Sequence, residues 1–404
     1  MNLRNRLMAG LFAAVFVLAL NAPAWADGQN AFRAGPLKVA SQNLYVGGDI
    51  LLPLSVPPEE FPAAAAEVID QILATNFPER AMKLSDLLRH EWPQLVGLQE
   101  VYEVKICLDV GQTQCLLDQD YLEILLANLN DRTESYREVA TVTNIDLQNL
   151  PAVLPTEPPT PVFVSITDRD VILAHRFVAT SNPMTGNYAA ALPVDNPLLP
   201  PGFSVLRGYA MVDAVVLGRE YRFVNTHLEV TGRGSELEPF FRAVQAGQAL
   251  ELAGLLQQHY DQTQVVVGDF NSDPFDGPFV ACAFPDGMGG VIFDSCPTPY
   301  AVLSGANPFG AVYTDTWLER NGPFDFGHTC CQATRLDNEF SQLDERVDLV
   351  WARQASDYNT GLPFLANVRA NVMGGDETDK TIPSGLWPSD HGGVAARLVF
   401  RLPK

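Results

Sequence analysis

The run Gln264-Val265-Val266-Val267-Gly268-Asp269-Phe270-Asn271-Ser272-Asp273-Pro274 carries an apolar, β-branched segment straight into a cluster of carboxylate and carboxamide groups. β-Branched residues favour a buried strand, Gly268 lets the backbone pass close to a neighbour, and the Asp and Asn then stand at the strand end, where ligands reach them. The layout recurs. Apolar runs also end in Gln99-Glu100 and Asn225-Thr226-His227, and Ser389-Asp390-His391 stands just before one. Acidic, amide and imidazole groups converging from four strand ends point to metal-assisted hydrolysis.

Outward from these ends, the chain alternates strands with helical patterns. Strands are expected at Leu37 to Tyr45, Leu95 to Val101, Val171 to Phe177, Met211 to Leu217, Tyr221 to Leu228, Gln264 to Phe270, Arg346 to Arg353 and Gly393 to Leu402, too many for one sheet. Gly218-Arg219-Glu220 between two of them reads as a hairpin turn, hence antiparallel pairing. Helices are expected over 62–76 and 79–92, broken at Pro78, and over Gln119 to Arg132 and Glu238 to Tyr260, with Leu250, Leu252, Leu255 and Leu256 facing the core. The Pro-rich stretches 151–161 and 192–203 read as ordered surface loops.

Arg4 and Arg6 precede an uncharged run from Leu7 to Leu20 and then Ala24-Trp25-Ala26, the layout of a secretory signal peptide over residues 1–26. The run is too short to span a bilayer. Its removal takes away two positive charges and moves the formal net charge from -22 to -24. The remainder, 27–404, is expected to form a single domain with long loop insertions, exported to a periplasm or the cell exterior. No basic stripe offsets the acidic balance, which argues mildly against non-specific binding of nucleic acid. Six cysteines in an exported chain suggest disulfides: Cys107 and Cys115, and Cys282 and Cys296, each flank a short segment that a bond would close. Adjacent Cys330 and Cys331 would pair only in a strained ring, so one of them is expected to reach another loop; a thiolate zinc site with His328 fits no standard ligand spacing.

Asp348 lies inside the apolar run Arg346-Val347-Asp348-Leu349-Val350-Trp351, where an unpaired carboxylate is costly. It needs a partner, and His391 is the obvious one, since an Asp–His pair fixes the tautomer and raises imidazole basicity. Asp390 is then free to face a cation. A hard cation such as Mg2+ takes oxygen ligands, and Glu100, Asp390 and Asn43 supply them.

Taken together, Gln42-Asn43, Gln99-Glu100, Asn225-Thr226-His227-Leu228, Gly268-Asp269-Phe270-Asn271, Arg346-Val347-Asp348 and Ser389-Asp390-His391 resemble the ordered motif set of the endonuclease/exonuclease/phosphatase superfamily. That superfamily includes deoxyribonuclease I, abasic-site endonucleases, bacterial neutral sphingomyelinases and inositol polyphosphate 5-phosphatases. Arg242 and Gln245 on the following helix fit the same pattern. The resemblance implies an α/β fold, a four-layer αββα sandwich of two mixed β-sheets flanked by helices. It also implies roles: Glu100 binds a divalent metal (Mg2+ or Mn2+, with Ca2+ as a third option), Asn43 supports it and Asp390 ligates directly or through water. His391, oriented by Asp348, is the general base. His227 and Asn271 donate to phosphoryl oxygens, and Asp269 orients the nucleophile or assists the leaving group.

Tyr45 stands where some nucleases place a second acidic residue. Arg169 and Asp170 read as a structural surface pair, with contact to substrate or pairing with His227 as the alternative, and Asp315 as a structural hydrogen-bonding residue. The core sets the reaction class and the loops set the substrate. The substrate is expected to be a phosphodiester of a lipid headgroup or of nucleic acid, with neither preferred: the lipid reading is supported by export, acidity and the apolar loops Pro197 to Phe203 and Gly361 to Leu365, which suggest contact with a membrane surface. A nucleic-acid strand fits the same core and the disulfides but finds no basic patch. An inositol-phosphate or nucleotide phosphatase needs a compact basic pocket. A non-catalytic scaffold would be expected to have lost part of the motif set, which is present in full. No stable protein partner is implied.

Overall fold

The computed structural model describes residues 35–401 apart from 58, 134, 155, 195, 197, 198, 306–311 and 356–363. The expected signal peptide and parts of the apolar loops 197–203 and 361–365 lie outside the described residues. Among those described, no helix is long and apolar enough to cross a membrane.

Val265, Val266 and Val267 explain the layering. Successive side chains of a strand face opposite ways, and here both faces are covered. Val265 and Val267 enter an inter-sheet core with Leu37, Val39, Ile172, Phe223 and Leu398. Val266 points outward, packing with Val224, Leu252, Leu256 and Trp351. A strand buried on both sides reads as a continuous apolar run, and each fully buried valine contributes about 1.5–3 kcal/mol of transfer free energy.

Among the described residues the first sheet has eight strands. Their order is Leu365–Met373, Gly393–Phe400, Leu37–Asn43, Leu95–Gln99, Thr160–His175, Glu103–Cys107 and Cys115–Asp120, with Tyr136–Leu154 also paired to Thr160–His175. The second orders Thr314–Asp315, Asp348–Arg353, Gln264–Asp269, Arg219–His227, Gly208–Val216 and Ala179–Asn187. Each sheet is mixed: Leu37–Asn43 runs parallel to Leu95–Gln99, and Arg219–His227 parallel to Gln264–Asp269, among antiparallel neighbours. Helices Phe61–Ala74, Phe77–Glu91 and Tyr121–Leu129 cover the outer face of the first sheet through Ile69, Ile72, Phe77, Leu84 and Leu125. Helices Glu238–Gln257 and Pro299–Ser304 cover the second. This is the four-layer α/β sandwich.

Several elements differ from expectation. Pro78 does not break a helix; it sits in the first turn of Phe77–Glu91, where its missing N–H costs nothing, and the break is left-handed Asn76 (φ 42°). The helix expected over Gln119 to Arg132 is Tyr121–Leu129, because Gln119 and Asp120 finish a strand and Asp120 caps the helix, accepting from the N–H groups of Leu122 and Glu123. Leu250 is 37 % exposed and leaves the stripe that Leu252 and Leu256 form. Much of the Pro-rich segment 151–161 is strand rather than loop: 151–154 and 160–161 are the far ends of two strands paired from Tyr136↔His175 to Leu154↔Thr160, and 156–159 lie between them outside either strand. Cys282 and Cys296 brace a second hairpin, Phe279–Pro285 with Val291–Pro297. Cys107 pairs with Cys115, and Cys330 pairs with its neighbour Cys331 rather than with another loop.

Candidate active site

Strand register assembles the site. Asn43 lies beside Gln99 at the end of one parallel pair, and His227 beside Asp269 at the end of the other. Asp269 in turn faces Asp348, the first residue of an antiparallel strand. His391 precedes the strand Gly393–Phe400, which pairs with Leu37–Asn43. Six chain segments therefore end at one edge of the sandwich.

Between the sheets a buried amide link fixes their relative height. Gln99 Nε2 donates to Asn225 Oδ1 (2.5 Å), and Asn225 Nδ2 donates to the carbonyls of Leu98 (2.9 Å) and Val171 (3.1 Å). Gly97 makes room for it, since a Cβ there would stand 2.4 Å from Asn225 Oδ1. At Gly268 a Cβ would stand 2.0 Å from the Thr226 carbonyl.

Asp269 is the hub. Its Oδ2 accepts from Asn43 Nδ2 (3.1 Å) and lies 3.6 Å from His227 Nε2 and 3.7 Å from His391 Nε2; its Oδ1 accepts from the Asn271 N–H (2.9 Å). His391 Nδ1 is 2.8 Å from Asp348 Oδ2, the pairing expected from the sequence. Thr329 Oγ1 accepts from the N–H groups of Val347 and Asp348, pinning that strand start. Asn271 Nδ2 approaches His227 Nε2 (3.3 Å) and donates to the Leu228 carbonyl, while Gln245 Nε2 donates to the carbonyls of Asn271 and Glu229. Arg242, grouped with Gln245 by sequence, instead pairs with Asp276.

The two imidazoles are set apart electrostatically. Burial opposes charge on His391, but Asp348, Asp269 and Asp390 outweigh it and push its pKa well above the ordinary range. For His227, burial, then the Arg207 guanidinium, then His391 all push the pKa well below it. Burial also lifts Asp269 to about 6 against the pull of His391.

Glu100 and Asp390 line a cavity of about 290 Å3 together with Tyr45, Arg207, Cys331 and Asp49. Burial pushes Asp390 up to about 7, with His391 opposing and Glu100 adding to the push. Two carboxylates facing one polar cavity form a hard-oxygen donor set that a divalent cation fits. Asn43 ties the set to the hub: its Nδ2 donates to Glu100 Oε1 (3.0 Å) as well as to Asp269, while its Oδ1 accepts from the Tyr45 N–H. Ligand atoms of Asp269, Asp348 and His391 also converge within 4.8 Å of one another, as do those of Cys330, Cys331 and His391, although the two sulfurs are bonded to each other. His328 stacks on Phe326.

Residues 40–391 match the model of the Endonuclease/Exonuclease/phosphatase family. The chain belongs to that family. Endonuclease/exonuclease/phosphatase proteins are phosphoester hydrolases, and this chain is an enzyme of that type. A family member from Bacteroides thetaiotaomicron shares the fold at TM-score 0.52 and 14% identity, over 91% of this chain and 96% of that one. A mannosyl-6-phosphatase from the same organism is similar at TM-score 0.49 and 15% identity over 90% of this chain and 100% of that one. TDP2 of D. rerio, complexed with a single-strand DNA product, is similar at 0.46 and 14% over 90% and 99%. No curated protein matches by sequence.

The structure brings all eight sequence-derived residues of this endonuclease/exonuclease/phosphatase protein to one edge. It corrects the reading of Arg169 and Asp170 as a surface pair. Arg169 bonds Asp120 (2.8 Å), whereas Asp170 is fully buried beside Asp168 and accepts from Asn144 Nδ2 (2.8 Å). Asp315 is structural as expected, capping helix Thr316–Asn321 and binding Arg346. Sequence reading missed Arg207, whose Nη1 lies 3.1 Å from His227 Nδ1 and whose Nη2 donates to Glu229 Oε1 (3.2 Å). It also missed Arg80, which donates to the carbonyls of Leu44, Tyr45, Thr75 and Pro388 and so holds the Asn43 and Asp390 segments together.

Proposed function

We propose that the protein is an exported, divalent-metal-dependent phosphodiesterase whose substrate is the phosphodiester of a phospholipid headgroup. The observation that carries the reaction is the hub itself: two imidazoles of opposite proton affinity on either side of Asp269, with Asn43 joining Asp269 to the Glu100 carboxylate. Glu100 and Asp390 would hold the cation, which when bound supplies Lewis-acid stabilisation of charge on the phosphoryl group.

The remaining roles belong to the chain. In its neutral form His391, held at Nδ1 by Asp348 and made strongly basic by the surrounding carboxylates, takes the proton of the attacking water on Nε2 as the new P–O bond forms. His227, neutral, and Asn271 donate to the non-bridging oxygens, where negative charge builds. Asp269 aligns the water or passes a proton to the departing alkoxide as the old P–O bond breaks. Its pKa of about 6 suits both uses.

The choice of lipid headgroup over nucleic acid is supported by the cavity lining. Arg207 is the one basic side chain among the described residues that line it, and Glu229 and His227 already engage it. A polyanionic strand would find no free cation there.

The test is Mg2+-dependent hydrolysis of phosphatidylcholine or sphingomyelin vesicles, plasmid DNA and bis(p-nitrophenyl) phosphate by the mature protein, with His391→Ala as the blank. Lipid turnover that the blank lacks is the expected result, and DNA turnover alone would reverse the assignment. In the same preparation Mg2+ should raise the melting temperature, by about 2.7 kcal/mol of stabilisation at one hundred times Kd, and should fail to do so in Glu100→Gln. An unchanged shift in that variant would move the cation elsewhere.

A further inference from the structure

The hairpin Phe279–Pro285/Val291–Pro297 leaves the body of the protein directly after the segment that carries Asp269 and Asn271. Its base is anchored: Cys282 and Cys296 are bonded and buried with Ala243 and Ala246 of helix Glu238–Gln257. Its tip is not covered. Met288 is 90 % exposed, Phe293 71 % and Ile292 54 %, and Phe284 and Val291 are exposed as well. A two-stranded ribbon in water ordinarily turns polar side chains outward on at least one face. Here partners across the ribbon share a face, so Phe284 and Ile292 project from one side and Val291 and Phe293 from the other.

The turn holds its own shape. Asp286 Oδ1 accepts from the N–H groups of Met288 and Gly290, both at 2.7 Å, which leaves the Met288 side chain as the outermost apolar group. From Gly277 to Thr298 the chain has no Lys, Arg or His, and its charges are the acidic Asp286 and Asp294.

A protein groove or a second copy pairing along a strand edge would cover one face or one edge of the ribbon and leave the other face wet. A lipid surface covers both at once. The acidic, cation-free tip repels anionic headgroups and tolerates zwitterionic ones. We propose that this hairpin is a membrane-docking element that inserts its tip, Phe284 to Phe293, among zwitterionic phospholipids and so brings their headgroups to the edge of the sandwich where Asp269 lies. The docking stands on the hairpin alone; the headgroup as substrate rests on the function proposed above.

The experiment is co-sedimentation of the full mature chain with phosphatidylcholine/sphingomyelin vesicles and with phosphatidylglycerol vesicles, wild type beside Ile292→Asp/Phe293→Asp. Both positions are solvent-exposed, so the melting temperature and the turnover of bis(p-nitrophenyl) phosphate should not change. The wild type should partition onto the zwitterionic vesicles, with the variant weaker by at least about tenfold and slower on vesicle lipid by a similar factor. Equal partition of the two proteins overturns the proposal, as does preference for phosphatidylglycerol. A concentration-dependent dimer that the variant abolishes, without vesicle binding, overturns it in favour of a second copy. Vesicle binding that follows the prediction while no phosphoester is hydrolysed keeps the docking element and removes the phosphodiesterase reading.

Discussion

Arg207 decides which nitrogen of His227 meets the site. A guanidinium has donors only, so His227 Nδ1, 3.1 Å from Arg207 Nη1, accepts, and the neutral ring carries its proton on Nε2, which the Asp269 carboxylate faces at 3.6 Å. On the proposed mechanism His227 is thereby a donor and leaves proton transfer to His391. In Arg207→Met the ring is expected to sample both tautomers, visible in the 15N shifts of His227, with kcat lowered about 10–100-fold. A single unchanged tautomer in that variant would make Arg207 merely structural. His227 itself was legible because its strand reads apolar up to a polar end. Arg207 was not, since an arginine just before a strand carries no sign of the partner it will meet twenty residues later.

At the level of elements, what could be read was whatever had an unambiguous period or a strong cap. The valine strand and the hairpin at Leu217-Gly218, both with positive φ, came out close to their true bounds. The long hairpin of Tyr136–Leu154 with Thr160–His175 did not. Its prolines signal a loop, yet Pro151 pairs opposite Phe163 in a ladder interrupted by irregular register. Within it, Asp168 and Asp170 alternate with Arg169 on the same face as Ile172 and Ala174, a period-two clue that these carboxylates point into the inter-sheet core. The inter-sheet amide link gives the most direct test at this scale. Gly97→Ala places a methyl against Asn225 Oδ1 and Val267 Cγ2 and should cost about 1–3 kcal/mol in urea unfolding. Gly254→Ala, with open space around its Cβ in a helix, should instead gain about 0.5–1 kcal/mol. Equal effects would mean that the two sheets do not depend on this contact.

For the molecule as a whole, the buried acids make stability a function of pH. Burial lifts Asp168 to about 7 and Asp170 well above its ordinary value, each with a second oxygen that finds no hydrogen-bond partner among the described residues. The native state therefore binds more protons than the unfolded chain once pH exceeds the ordinary carboxylate value of about 3.9. The stabilising contribution is complete below that value and is lost as pH rises toward 7. Melting temperatures from pH 4 to 7 should fall less steeply in Asp168→Asn than in the wild type. Parallel curves would show that Asp168 is ionised throughout.

The neighbouring strands Leu37–Asn43 and Gly393–Phe400 come from opposite ends of the described chain, and the site needs both Asn43 and His391. During vectorial synthesis the early strands and helices can collapse, but Ser389, which donates to the Asn43 carbonyl, is made 346 residues later, and His391 after it. On the proposed mechanism, a chain cut short before His391 is expected to be catalytically silent. The order of the strands thus separates the making of the chain from the making of its site: the two halves that must meet are synthesised 346 residues apart.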